Sequence, residues 1–276
     1  MSDRRLTPFS GRIALETLRG QVAAEAFTEG EPARVILPVV DLSPAPGALR
    51  DRQLIFGAAV TVIERRAAAA FVQAAADGYC GWVPAVALGA PARPTHVVSA
   101  AATHVYREAS IKRGEVMSLS LGTRLAVLDE DAKFLRIAEG FVPRPHLRPL
   151  DPPETDPVAV AERLLGTPYL WGGNSREGID CSGLVQVALA LCGRACPADS
   201  DQQSRAFGDF LPAGTVPQRG DLFFWKGHVA MACDGERLIH ANGHTMSVAH
   251  EGIAACLARI EAAGDGPFLG LKRPGA

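Results

Sequence analysis

The chain has 276 residues, 47% of them apolar and 21% charged, with a net charge of −2. That length accommodates two domains or three small ones, and the balance is ordinary for a globular protein. The near-neutral total offers no broad basic face, so nucleic acid and anionic membrane are not expected as partners. No run of about 18 apolar residues, the length that spans a bilayer, occurs, and so no membrane helix is expected.

In chain order, the first twenty residues carry early charges but no apolar core of signal-peptide length, and a cytoplasmic protein is expected. Ile13 to Phe27 reads as an amphipathic helix, with Leu15, Leu18, Val22 and Ala26 on one side and Gly20 interrupting it. "RVILPVVDL" then reads as a strand, "SPAPG" as punctuation, and "VTVIERR", "AFVQAA" and "GWVPA" as short strands. The texture repeats about 60 to 65 residues later. "GAAVTVIERRAAAAFVQAAADGYCGWVPAVAL" and "GTRLAVLDEDAKFLRIAEGFVPRPHL" share a Gly, a strand, charged turn residues, a second strand, Trp/Phe-Val-Pro and a terminal Leu. A duplicated small β-barrel is expected, one copy over 32–90 and the other over 93–150, after an N-terminal helical segment 1–31.

"RPLDPPETDP" is a linker by composition, and Asp156-Pro157 reads as a helix cap followed by proline at the first helical position. That helix is expected to run through "VAVAERLL" to Gly166, opening a third domain over 153–276. The segment "GTPYLWGGNSREGIDCSG" is glycine-rich, which lets backbone approach backbone. Asp180 is a good N-cap, and "SGLVQVALALC" beyond it has helical apolar spacing, so Cys181 sits at a helix start. Free N–H groups and the positive end of the helix dipole favour thiolate there, although most cysteines at helix starts are inert.

"DLFFW", "HVAMAC" and "RLIHA" read as consecutive strands with a turn at Asp234-Gly235. With a three-residue loop, Cys233 pairs with Arg237 and Ala230 with His240, which sets His228 and His240 on one face as diagonal neighbours. A two-residue loop would put them on opposite faces. In the first case Cys181, His228 and His240 form a nucleophile, a base and an orienting group. Tyr169, twelve residues before Cys181, could join the Cys181 N–H at an oxyanion, with core packing as the alternative for Tyr169 and Trp171. No metal or cofactor is expected. His240 and His244 flank an Asn-Gly turn instead of sharing a helix face, and Cys192 and Cys196 make only a weak pair.

"GTPYLWGGNSREGIDCSGLVQ", "RGDLFFW", "GHVAMAC" and "LIHANG" together resemble the NlpC/P60 family of cell-wall cysteine peptidases, over roughly 155–276. The two barrels look like the bacterial SH3-like domains joined to that unit, and the layout resembles the γ-D-glutamyl-L-diamino acid endopeptidases of the dipeptidyl-peptidase VI type. The resemblance implies a multidomain chain in which two SH3-like barrels precede an α+β papain-like catalytic domain. It implies Cys181 as nucleophile, His228 as base, His240 as third polar member and Tyr169 at the oxyanion site. Asp180, Ser182, Asp199 and Ser200 become substrate residues, and Asp51 and Tyr79 of the first barrel bind a free amino end. The implied substrate is a murein peptide beginning with L-Ala-γ-D-Glu, cut before L-Lys or a diaminopimelate in peptide recycling. Two other functions fit the same residues less fully: an amidase or acyltransferase with the same dyad, and a wall-binding module.

Overall fold

The structure is a computed structural model and describes residues 3–275. The chain divides between Asp151 and Pro152 into two compact units.

The expected N-terminal helix is not formed. Ile13–Leu15 is a strand paired in parallel with Ala26–Thr28, with a 3₁₀ turn at Glu16–Leu18. Gly20 has φ +78°, a left-handed conformation that no helix interior contains. None of Leu15, Leu18, Val22 and Ala26 is buried, so the helical spacing marks no real face. Instead Ile13 and Leu15 lie against Ile63, Phe71, Cys80 and Trp82, and the segment packs on the first sheet as extended chain.

That first sheet is antiparallel, in the order Cys80–Pro84, Ala69–Ala74, Ala59–Arg66, Glu31–Val35, Leu88–Gly89. "RVILPVVDL" is two strands, not one. Glu31–Val35 ends before Pro38, which has no N–H for a ladder, and Val39–Leu42 pairs separately with Arg52–Ile55. The second half has a five-stranded sheet in the order Glu115–Ser120, Ala102–Tyr106, Gly140–Pro143, Phe134–Ile137, Asp129–Glu130. His96–Val98 pairs with Arg124–Leu125 on one side and Leu147–Pro149 on the other. The two halves of this unit have some elements in common. Each half has a hairpin, a 3₁₀ turn at Ala85–Ala87 or Arg144–His146, and a closing strand. The long strand Ala59–Arg66 has no single counterpart, because the second copy breaks into Arg124–Leu125 and Asp129–Glu130. Phe56 of the first half inserts among Val98, Val105, Leu119, Leu125, Ile137 and Val142 of the second, so the halves share a core.

In the second unit, Asp156 caps helix α1 (Pro157–Glu162), its Oδ1 accepting from Val158 N at 3.0 Å and Ala159 N at 3.3 Å. The helix stops four residues short of Gly166. Helices α2 (Cys181–Leu191), α3 (Ser200–Ala206) and α4 (Ile253–Ala263) surround an antiparallel sheet. Its strand order is Ser247–Gly252, Arg237–Asn242, His228–Ala232, Leu222–Trp225, Phe268–Lys272. One face, carrying Phe223, Trp225, Ala230, Ala232 and Leu238, packs on Cys256 and Ile260 of α4. Helices α1 and α2 pack on strands of the same sheet. No described helix is long and apolar enough to cross a membrane.

Candidate active site

Cys181 is the first residue of α2 because Asp180 stops the chain from being helical one residue earlier. Asp180 is extended at ψ 179°, and its carboxylate collects three donors. Oδ1 accepts from Gly183 N at 2.7 Å and Ser182 Oγ at 3.0 Å, and Oδ2 accepts from Gly172 N at 2.8 Å. The last of these ties the glycine-rich loop to the helix start. Glycine is required where the two meet. A Cβ on Gly183 would fall 2.7 Å from the Gly173 carbonyl oxygen, and one on Gly173 would fall 2.5 Å from that of Gly178. Burial pushes the Asp180 pKa up against those three donors, and the nearby charge of Asp199 adds to the shift.

Asp199 and Ser200 are held close by from a separate element. Asp199 precedes α3, and its N–H donates to Gln202 Oε1 at 3.3 Å. Buried Gln203 then donates from Nε2 to the carbonyls of Ser182 at 2.9 Å and Pro197 at 3.0 Å, which locks α3 to the first turn of α2. Ser182 is itself buried, with its hydroxyl on Asp180. Asp180 and Ser182 therefore build the turn that carries Cys181.

The sheet supplies the histidines. Cys233 N donates to Arg237 O at 2.8 Å, and the register Met231–Ile239, Ala232–Leu238 extrapolates to Ala230 opposite His240. This is the three-residue-loop alternative, and it sets His228 and His240 on one face. Their rings meet, with His228 Nε2 3.0 Å from His240 Nδ1. The ladder is registered only at those two pairs. Nearer the start of the strand, the Val229 N–H is close enough to the Cys181 sulfur to favour its charged form. Cys181 is thus set against the His228–Val229 backbone. Tyr169 bridges in parallel to Ile179, and its hydroxyl is close enough to feel the charges of Cys181 and Asp180. Burial, then those charges, raises the Tyr169 pKa, so it remains a hydroxyl donor. Core packing does not describe Trp171, which is 74% exposed.

One expectation is overturned. The helix start does not make Cys181 a resting thiolate. Cys181 is 6% exposed, and burial pushes its thiol up to about 12, outweighing the N–H groups of Val229, Ser182 and Cys181 itself. His228 is held down to about 3 by burial first and then by His240. His240 is held down to about 4, again by burial, against the pull of Glu251. Burial thus favours the neutral form of both partners, thiol and imidazole.

Sequence reasoning missed two residues. Glu251 Oε2 lies 3.1 Å from His240 Nε2, and Arg259 of α4 grips the same carboxylate, Nε to Oε1 at 2.9 Å and Nη2 to Oε2 at 2.7 Å. Arg259 holds the Glu251 carboxyl down at about 2. The available signal was period 2: Glu251 pairs with Leu238, so it shares the face of His240. Cys256 completes a group with His240 and Glu251 that could face an ion, but the Arg259 guanidinium already serves it, with Nη2 3.8 Å from Cys256 Sγ. His244 lies outside, on an exposed turn where Asn242 Oδ1 accepts from His244 N and Thr245 N. Cys196 lies beyond the end of α2, so it does not share a helix face with Cys192.

In the first unit, Asp51 is engaged: Arg4 takes both its oxygens, at 2.8 Å and 3.0 Å. Tyr79 lies next to that pair and is 1% exposed.

Residues 166–255 match the NlpC/P60 family, and residues 42–88 match the bacterial dipeptidyl-peptidase SH3 domain. The chain carries an NlpC/P60 domain and an SH3 domain of that type. It is 29% identical over 184 residues to a Gamma-D-glutamyl-L-lysine dipeptidyl-peptidase of Bacillus subtilis, covering 59% of this chain and 60% of that protein. It is 30% identical over 167 residues to Dipeptidyl-peptidase 6 of Lysinibacillus sphaericus, covering 53% of this chain and 60% of that one. The chain thus matches about three-fifths of the length of these curated relatives. A crystal structure of an NlpC/P60 family protein from Bacillus cereus superposes with a TM-score of 0.72 at 22% identity, covering 88% of this chain and 99% of that one. At that identity the likeness speaks to the fold.

Proposed function

We propose that this NlpC/P60 protein is a cysteine peptidase. It cuts the γ-D-glutamyl bond to an L-diamino acid, L-Lys or a diaminopimelate, in murein peptides with a free N-terminal L-Ala. The product L-Ala-γ-D-Glu fits a role in recycling of wall peptides. The observation that carries this reading is Cys181 on an Asp180-capped helix, set against the start of a strand whose His228 is bonded to His240.

The sulfur gives its proton to His228 and attacks the γ-carbonyl carbon, and the carbonyl π pair moves to oxygen. The Cys181 N–H and the Tyr169 hydroxyl serve that oxyanion. The carbon–nitrogen bond breaks, and the diamino acid leaves with the proton that His228 held. Water, deprotonated by His228, then hydrolyses the thioester. His240 orients the imidazole throughout. Asp199 and Ser200, at the start of α3, are assigned to the peptide, with Asp180 and Ser182 as the frame beneath it. The two halves of the first unit are read as two SH3-like barrels. Asp51, held here by Arg4, is assigned to the substrate's free amino end, with Tyr79 buried beside it.

Cys181→Ala is expected to abolish release of L-Ala-γ-D-Glu from L-Ala-γ-D-Glu-diamino acid peptides, followed by mass spectrometry, while the melting temperature stays within a few degrees. Activity within about tenfold of wild type would remove Cys181 from the chemistry. N-acetylating the peptide should cost most of kcat/KM, and an unchanged value would refute the amine site. Hydrolysis of N-acylated amides with equal speed would favour an amidase instead.

A further inference from the structure

A relay of two histidines has a problem that a relay ending in an amide does not. An imidazole accepts at one nitrogen only, and which one depends on where its single proton sits. If His240 carried its proton on Nδ1, that N–H would point at His228 Nε2, 3.0 Å away. His228 would then have to accept there and carry its own proton on Nδ1. It would present N–H, not a lone pair, to the thiol.

We propose that Glu251, clamped by Arg259, is a positioning residue that fixes the tautomers of both histidines and leaves His228 Nδ1 as the acceptor for the Cys181 proton. This rests on the catalytic reading of Cys181 and His228. Arg259 bonds both Glu251 oxygens, so the group stays a carboxylate and can only accept. His240 Nε2 lies 3.1 Å from that carboxylate, off the line of a hydrogen bond and with no other partner; a bare lone pair would be repelled there, so this nitrogen carries the proton. His240 Nδ1 is then bare and accepts from His228 Nε2–H. The remaining lone pair of His228 is then on Nδ1, the nitrogen nearer its own main chain, and the next residue along that main chain, Val229, is a neighbour of the Cys181 sulfur. His240 is 1% exposed, so no solvent competes to set its proton. The strand order makes this possible. Glu251 lies beside Leu238 in the ladder, on the same face as His240, and α4 brings Arg259 back over that face.

The direct test needs no variant. In histidine-labelled protein, ¹⁵N–¹H spectra should show His240 protonated on Nε2 and His228 on Nε2, and a proton on His240 Nδ1 would overturn the proposal. The spectra are repeated on Cys181→Ala, where they read the tautomers whether or not Cys181 is the nucleophile. The kinetic arm uses Glu251→Gln. Arg259 attracts the amide oxygen and turns the NH₂ toward His240, which demands the wrong tautomer. A fall in kcat of about 10- to 100-fold with KM within about twofold is expected. In a His240→Gln background the carboxamide oxygen accepts from His228 with no tautomer to fix. Glu251→Gln should then change kcat by less than about twofold. A loss repeated in full there would make Glu251 a structural clamp only.

Discussion

Two neighbouring residues on one strand, His250 and Glu251, each take part in a histidine–carboxylate pair of nearly equal length, and the pairs do different things. His240 Nε2 is 3.1 Å from Glu251, and His250 Nε2 is 3.2 Å from Glu162. Because strand residues alternate, Glu251 faces α4 and His250 the opposite side. The inner pair exposes 0% of the imidazole and 19% of the carboxylate, and Arg259 fixes the carboxylate bidentately. The outer pair exposes 31% and 35%, and its acid meets Arg219 at 3.9 Å besides. Distance alone does not give a pair its role. What separates the two is whether water can offer the imidazole another partner, and whether the acid is itself held still.

The sharpest way to break that comparison is to remove each imidazole. His240→Ala should lower kcat by about a hundredfold, because a general base with an unfixed ring loses much of its 10²- to 10⁴-fold advantage. His250→Ala should leave kcat within about twofold. His228→Ala should be more severe than either. Comparable losses from His240→Ala and His250→Ala in steady-state kinetics would mean that burial is not the deciding variable.

A second effect is thermodynamic. His228 and His240 titrate near 3 and 4 in the folded protein against an ordinary value of about 6.5. Below about pH 6.5 the unfolded chain takes up protons on both rings and the native state does not. Their contribution is fully present above that pH and is lost as pH falls toward 4 and 3, at up to about 1.4 kcal/mol per pH unit per ring. Glu251 has the same sign in a lower window, between its ordinary value and about 2. Urea midpoints measured from pH 7.5 to 4 should fall, and His240→Gln should flatten the fall. An unchanged slope in His240→Gln would contradict the buried neutral ring.

The same contrast sorts what was legible in the sequence. The helix start at Cys181 and the shared face of His228 and His240 could be read because helix caps and strand alternation are local rules. Asp180 is a good cap, and of the two loop lengths left open the three-residue loop puts both rings on one face. Glu251 obeys the same alternation, but nothing local says that Arg259, on the next helix, will immobilise it. The sulfur's protonation state was misjudged for a related reason. A helix start is visible in sequence, whereas the burial that outweighs it arises from the α2–sheet contact. The N-terminal segment failed differently: its 3.6-residue spacing was genuine, but Gly20 in the left-handed region and pairing with Ala26–Thr28 overrode it.

The smallest effect tests the outer pair on its own terms. Glu162→Gln removes the acid from His250, from Arg219 and from the neighbourhood of Cys233. Exposed pairs exchange one set of hydrated contacts for another and hold two side chains still in doing so, which leaves about 0 to 1 kcal/mol. Asp156 keeps its stronger hold on Arg219, at 2.7 Å, so the end of α1 loses little. The urea midpoint at pH 7 should therefore move by less than the equivalent of about 0.5 kcal/mol, and 0.5 M salt should shrink the difference further. A loss above about 2 kcal/mol would mean that this carboxylate, too, is fixed and dry in solution. The contrast between the two pairs would then have to be sought in Arg259 alone.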